Sequence, residues 1–262
     1  MAESQPEERA GQPTAQAFDR LYAGIGSSSA LNQIWSSAYG DEYPEEAAPF
    51  SFVTRSEIKL LLGWLGLGPG KFCVDIGCGS GGISLFVANA TGAHVTGVDW
   101  SAIAIESAME KSWRSEISRQ VSFLVADAAA TQLPSASFDG AISIDALQLM
   151  PRPKAVLEEV ARILRPGGVL AFTTWLGPPV PGRFFVMDYR PLLEENGFTM
   201  EECVEPEHWL ENHRLVYRLF REREADLRSE LGESIAGALL SEANRSGFLK
   251  NCRRINLKAR KL

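Results

Sequence analysis

The sequence predicts a doubly wound α/β fold, a parallel sheet with helices on both faces. Between Lys71 and Trp175 short apolar runs alternate with helical patterns, the signature of strand–helix–strand units. The first run, FCVDIG, has little polar alternation, as a strand covered on both faces should. It leads into a glycine-rich turn, Gly77 to Gly82, that opens the next helix. The 262 residues suit one large domain or one domain with a modest appendage.

The elements follow in order. Residues 1–16, made of Glu, Gln, Pro, Ala and Thr, read as a disordered tail. Residues 17–66 read as a helical cap. An amphipathic piece begins at Ala17, Phe18 and Leu21, and SSSALNQIWSSAYG and an acidic turn, DEYPEEAAP, follow. Thr54 is placed to cap a helix through Ile58, Leu61, Leu62 and Leu65, which ends at Gly66. Residues 67–262 form the sheet domain. After FCVDIG and the helix ISLFVANA come the strand HVTGVD and a helix capped by Ser101. VSFLVAD and FDGAISIDA are the third and fourth strands. PKAVLEEVARIL is a helix with its apolar face at Val156, Leu157, Val160 and Ile163. RPGG is its closing turn and VLAFTTW the fifth strand. A helix around 187–196, a strand near FTMEECV, a helical stretch over about 207–245, expected as a lid insertion, and a last strand in KNCRRINLKAR complete the chain. In the helical stretch, Trp209, His213, Val216 and Phe220 share one face.

Composition narrows the function classes. Hydrophobic residues at 45% and charged residues at 23% rule out wholesale disorder and a membrane bundle. A net charge of −7 lacks the basic footprint of a nucleic-acid binder. Residues 214–262 carry twelve bases against six acids, a run that can touch acidic lipid or RNA but more often is a solvated face. Cys73, Cys78, Cys203 and Cys252 are too scattered for a disulfide framework, and no Cys/His cluster has zinc spacing. The acidic N-terminus is no signal peptide, and IKLLLGWLGLG is too short to span a bilayer. These features suggest a reduced, cytoplasmic, soluble protein.

The chemistry is concentrated in Val74-Asp75-Ile76-Gly77-Cys78-Gly79-Ser80-Gly81-Gly82. Glycines let the backbone approach a ligand, and the following helix aims free N–H groups at it. Gly77, Gly79 and Gly82 also satisfy G-x-G-x-x-G, the dinucleotide spacing, which alone discriminates little. Three acids and one turn add to it. Asp75 precedes the turn by two residues. Asp99 ends the second strand, where a carboxylate can accept ribose hydroxyls. Asp127 ends the third, placed to meet an exocyclic amine of a purine. Leu164-Arg165-Pro166-Gly167-Gly168 precedes the fifth strand.

Together DIGCGSGG, VTGVDWS, VAD and LRPGG resemble the class I S-adenosylmethionine-dependent methyltransferases, closely over residues 71–175 and loosely elsewhere. The likeness is to the small-molecule branch, which includes ubiquinone-type and natural-product enzymes. The resemblance implies a Rossmann-like seven-stranded sheet of order 3-2-1-4-5-7-6 with an antiparallel last strand. It implies S-adenosylmethionine as cofactor, a small-molecule acceptor and no metal. It implies that Gly77, Cys78, Gly79 and Gly81 form the loop along the methionine part, with Asp75 near the ammonium. Asp99 would hold the ribose, Trp100 would lie against the adenine, and Asp127 with the Ala128 amide would read its edge. Asp145 would face the sulfonium and acceptor. Plain structural roles compete: Asp75 and Asp127 can cap turns, and Trp100 can simply pack. Cys78, at a helix N-terminus, is expected to have a lowered pKa, but its place in the loop argues against a nucleophile.

No catalytic residue is legible. Transfer from a sulfonium needs positioning first and a base only when the acceptor must lose a proton early. His208, His213 and Asp145 are the base candidates, although a histidine on an apolar face usually just packs. Gln148 stands where many relatives carry a histidine. The cap is rich in aromatics (Tyr22, Trp35, Tyr39, Tyr43, Phe50, Phe52), and Tyr39, Tyr43 and Arg55 are the expected ligand contacts there. Arg183, Phe184, Phe185, Met187 and Tyr189 are expected to line the acceptor pocket and suit a flat or lipidic molecule. Two rivals remain: a nicotinamide-dependent oxidoreductase, and a protein that binds S-adenosylmethionine but transfers nothing. Neither the acceptor nor the oligomeric state can be read.

Overall fold

The computed structural model describes residues 14–26, 28–48 and 50–262. The expected tail lies outside these as far as residue 13. Its last part does not fit the expectation: Thr14 accepts the Ala17 N–H at 3.2 Å and caps α1 (Ala15–Ile25). Ser28 caps α2 (Ser29–Tyr39) in the same way, accepting from Leu31 at 3.1 Å. Thr54 and Glu57 form the reciprocal capping box that starts α3 (Arg55–Leu65).

The sheet begins with β1 (Phe72–Ile76), followed by α4 (Gly82–Thr91), β2 (His94–Asp99) and α5 (Ala102–Trp113). Ser101 caps α5 by accepting from Ala104 at 3.1 Å, as its side chain and place predict. Next come β3 (Val121–Val125), β4 (Phe138–Ser143), α6 (Pro153–Ile163) and β5 (Leu164–Leu176). Then α7 (Arg190–Glu195), β6 (Phe198–Val204), α8 (Trp209–Glu222), α9 (Glu224–Asn244) and β7 (Arg253–Lys261) complete the order.

The seven strands lie in the order β3-β2-β1-β4-β5-β7-β6. The first five are parallel, and β7 runs antiparallel between β5 and β6. Ile58, Leu61 and Val87 of α3 and α4 pack on one face. Val156, Leu157, Val160 and Leu193 of α6 and α7 pack on the other. Thus α3, the end of the expected cap, belongs to the sheet layers. A third cluster joins α2, α8 and α9 through Trp35, Val216, Phe220 and Leu240, with Trp175 from the end of β5. This is the lid. The shared face of Trp209, His213, Val216 and Phe220 is buried, as the spacing predicts.

Three elements depart from expectation. The RPGG turn is the extended start of β5: pairing with β4 slips from Leu164 to Val169, and Gly167 takes φ 77°. An irregular strand with a left-handed glycine absorbs the reversal that a separate turn would otherwise make. The 207–245 helix is two helices, broken at Arg223. Within α9, Gly232 adopts φ 75° and ψ 168°, which bends it. Finally, α7 starts only at Arg190, after Asp188 accepts the Arg190 N–H at 2.9 Å.

Candidate active site

The strand order reverses at β1, whose neighbours are β2 and β4. Open α/β sheets bind ligands in the crevice beyond strand C-termini at such a point. Here the Gly77 and Cys78 N–H groups donate to Val98 O at 2.8 and 3.1 Å, binding the glycine loop to β2. Gly77 has φ 74° and Gly79 φ 52°, both in the region that favours glycine. A Cβ at Gly79 would stand 2.3 Å from the Tyr22 hydroxyl oxygen. Tyr22 therefore closes directly on the loop.

Asp99 Oδ2 accepts the Gly79 N–H and Oδ1 the Ser101 N–H, both at 2.9 Å. Burial pushes its carboxyl above the ordinary value, partly offset by these donors. Asp75 is 1% exposed, and its Oδ2 accepts from Ser84 at 2.6 Å. Burial raises its pKa to about 7, against the Ser84 hydrogen bond. Burial also pushes the Cys78 thiol well above its ordinary value. The lowering expected from the helix N-terminus is overcome by desolvation, and the thiol is no nucleophile.

A cavity of about 590 Å³ runs from these strand tips under the lid. Asp99, Trp100, Asp127, Ala128 and Asp145 line it, together with Gly77. Asp75, Cys78 and Gly79 line a smaller adjoining pocket with Tyr22. Gly81, the left-handed N-cap of α4, lies in the same loop. Asp127 accepts the Ala129 N–H at 2.8 Å and pairs with Arg152. Phe18 tilts against Trp100 at 5.8 Å between ring centres. Asp19 of the same helix takes the Ser101 hydroxyl hydrogen at 2.6 Å. So α1 docks on the loop and on the tip of β2. Burial, then Asp99, raises the Tyr22 pKa, so its hydroxyl stays protonated.

Several expected contacts lie elsewhere. Tyr39 and Tyr43 are buried inside the cap; the Tyr39 hydroxyl donates to Phe52 O at 3.3 Å. Arg55 folds back on the acidic turn, pairing with Glu46 and donating to Tyr43 O at 3.1 Å. None of the three lines the cavity, whereas Tyr22, Trp35, Phe50 and Phe52 do. Behind β5, Arg183 and Phe185 line it. Phe184 packs on the sheet core, Met187 points to solvent, and Tyr189 is buried with its hydroxyl 2.8 Å from Thr174 Oγ1.

The base candidates fare no better. His208 is exposed at the N-cap of α8, away from the cavity. His213 is 1% exposed and stacks on Phe52 at 3.6 Å, and its Nδ1 lies 2.8 Å from Trp209 O. Burial, then the Arg254 charge, pushes its pKa down to about 3. It is a packed neutral ring. Asp145 sits at φ 49° with a saturated carboxylate. Ser51 Oγ (2.6 Å), the Phe52 N–H (3.0 Å) and Thr173 Oγ1 (2.8 Å) donate to it, and Arg254 pairs with it. Burial would raise its pKa, but Arg254 and these donors hold it below the ordinary value. It lines the cavity as a wall, with its charge turned to the interior.

Comparison with known proteins agrees with this crevice. Residues 74–172 match the family model described as a methyltransferase domain. The O-methyltransferase resE of Aspergillus sclerotiorum is 30% identical over 182 residues, covering 63% of this chain and 68% of that one. The chain belongs to the class I S-adenosylmethionine-dependent methyltransferases. The 27-O-demethylrifamycin SV methyltransferase of Amycolatopsis mediterranei is 34% identical over 152 residues, 58% of this chain. The match spans about half of that relative's own length, 56%. The solved structure of the [4+2]-cyclase SpnF has the same fold, with a TM-score of 0.75 at 19% identity over 95% of this chain and 97% of that one.

The family's cofactor fits the residues present. The glycine loop leaves a backbone cradle that side chains would fill, and two buried acids stand at its edge. Among the described residues no group of three or more His, Cys, Asp or Glu could hold a metal ion, and no helix is long and apolar enough to cross a membrane.

Proposed function

We propose that this chain transfers the methyl group of S-adenosylmethionine to an oxygen, nitrogen or carbon atom of a small molecule. One observation carries the reading: a single cavity joins the acid-tipped strand ends to an aromatic chamber. Asp99, Trp100 and Asp127 lie at one part of it, and Trp35, Trp175, Phe185 and Phe220 at another. A cofactor and an apolar acceptor can therefore share one space. The sulfonium, when bound, supplies a methyl group that is already activated, so the protein's task is to position it.

In this reading Asp99 accepts the ribose hydroxyls with the lone pairs its backbone donors leave over. Asp75 lies near the ammonium, and Tyr22 closes the glycine loop as a donor. Trp100 packs against the adenine, and Asp127 with the Ala128 amide reads its edge once Arg152 yields. The setting is cytoplasmic, in keeping with four free cysteines, three of them buried. Neither nucleic acid nor a membrane span enters the reading.

Incubation with methyl-labelled S-adenosylmethionine and an extract of small metabolites tests the transfer. A labelled small product and stoichiometric S-adenosylhomocysteine are expected. Binding of the cofactor with no labelled product would favour a protein that holds it without transferring the methyl group. Thermal stabilisation by NAD in place of S-adenosylhomocysteine would favour an oxidoreductase.

A further inference from the structure

Four carboxylates line the large cavity: Asp99, Asp127, Asp145 and Glu242. The first three have donors on both oxygens. Glu242, from α9, differs. Its Oε1 accepts the Tyr217 hydroxyl at 2.7 Å and forms an ion pair with Arg183 Nη2 at 2.8 Å. Its Oε2 takes no hydrogen bond from a described residue, and the side chain is 33% exposed. Two side chains from separate parts of the chain thus hold one oxygen of a cavity-lining carboxylate and leave the other without a donor among the described residues. Burial, then Glu242 itself, raises the Tyr217 pKa, so Tyr217 remains a donor. Trp35, Trp175, Phe185, Phe220 and Phe248 line the same cavity.

We infer that Glu242 accepts the proton of a phenolic acceptor, with Tyr217 and Arg183 as its positioning residues. The inference rests on the methyl-transfer reading above and narrows its acceptor to a hydroxylated aromatic. Aromatic walls bind flat rings, and a neutral hydroxyl is a poor nucleophile until it sheds its proton. The acceptor O–H proton passes to Glu242 Oε2. The oxygen's electron pair forms the O–CH₃ bond, and the pair of the broken S–CH₃ bond stays on sulfur. The products are a methyl ether, a neutral thioether and a protonated Glu242, which then releases its proton to water.

The probe is 2-naphthol, which on excitation becomes a strong acid, gives its proton to an adjacent base and then emits as naphtholate. It is bound to the protein loaded with S-adenosylhomocysteine, and its methylation by S-adenosylmethionine is followed in parallel. Wild type should bind it, show naphtholate emission and methylate it. Glu242→Gln should lose that emission and about 100-fold or more in kcat, with S-adenosylhomocysteine affinity within about twofold. Pentafluorophenol, already ionised at neutral pH, should be methylated by the variant at close to the wild-type rate. Tyr217→Phe should give an intermediate loss. The inference is overturned if the loaded protein does not take up naphthol, or if emission and turnover are the same in Glu242→Gln. Failure to bind S-adenosylhomocysteine would instead remove the reading beneath it.

Discussion

Placed beside the cofactor's ammonium as proposed, Asp75 would couple the site to pH. Its folded pKa of about 7 reflects burial without a cation beside it. A ligand ammonium placed near it favours the charged form, so binding must expel the proton wherever the free protein holds one. S-adenosylhomocysteine affinity should therefore fall as pH drops through about 7, and Asp75→Asn should flatten that dependence in a calorimetric series. The His213 pKa is displaced the other way. Its folded pKa lies near 3 and its ordinary value is 6.5, so between the two the unfolded chain binds a proton that the folded one refuses. Its contribution to stability is complete above about 6.5 and fades as pH falls toward about 3. Urea unfolding of His213→Phe should be less pH-dependent across that window. Asp99→Ala removes the acceptor for two backbone N–H groups and for the proposed ribose contact. It should weaken S-adenosylhomocysteine binding by about 1–3 kcal/mol; an unchanged affinity would count against the ribose role.

Elements were legible where their cause is local. The Thr54–Glu57 box and the Ser101 cap each lie within four residues of what they satisfy, and the glycine turn directly follows its strand. Contacts across the fold left no such trace. Nothing in the sequence pairs Asp19 with Ser101 or turns Arg55 back onto Glu46, contacts that leave Tyr22, and not Tyr39, Tyr43 or Arg55, lining the cavity. Arg183, Tyr217 and Glu242 likewise meet only through tertiary packing. The bend in α9 rests on Gly232, whose φ 75° and ψ 168° suit glycine alone. Open space surrounds its missing Cβ, so backbone strain decides the outcome there. Gly232→Ala should cost about 1–3 kcal/mol in denaturant unfolding.

Across the whole molecule, one buried cation ties the sheet to the cap. Arg254 of β7 is 0% exposed and pairs with Asp145 beyond β4 and, at 3.2 Å, with Glu57 of α3. Asp145 in turn holds Ser51 and the Phe52 N–H of the cap. Arg254→Met would strand two acids in the interior. Removing one partner of such a pair costs about 3–5 kcal/mol, a loss that urea unfolding should register. Strand order at this scale was legible only through family resemblance, because pairing between distant segments is not encoded by local pattern. Everything proposed for the site depends on what occupies the crevice at the tips of β1 and β2. Isothermal titration of the purified chain with S-adenosylhomocysteine, with NAD in a parallel cell, measures this directly. One molecule of S-adenosylhomocysteine bound per chain, with no heat from NAD, is the expected result; no heat from S-adenosylhomocysteine, or saturable binding of NAD, would contradict it.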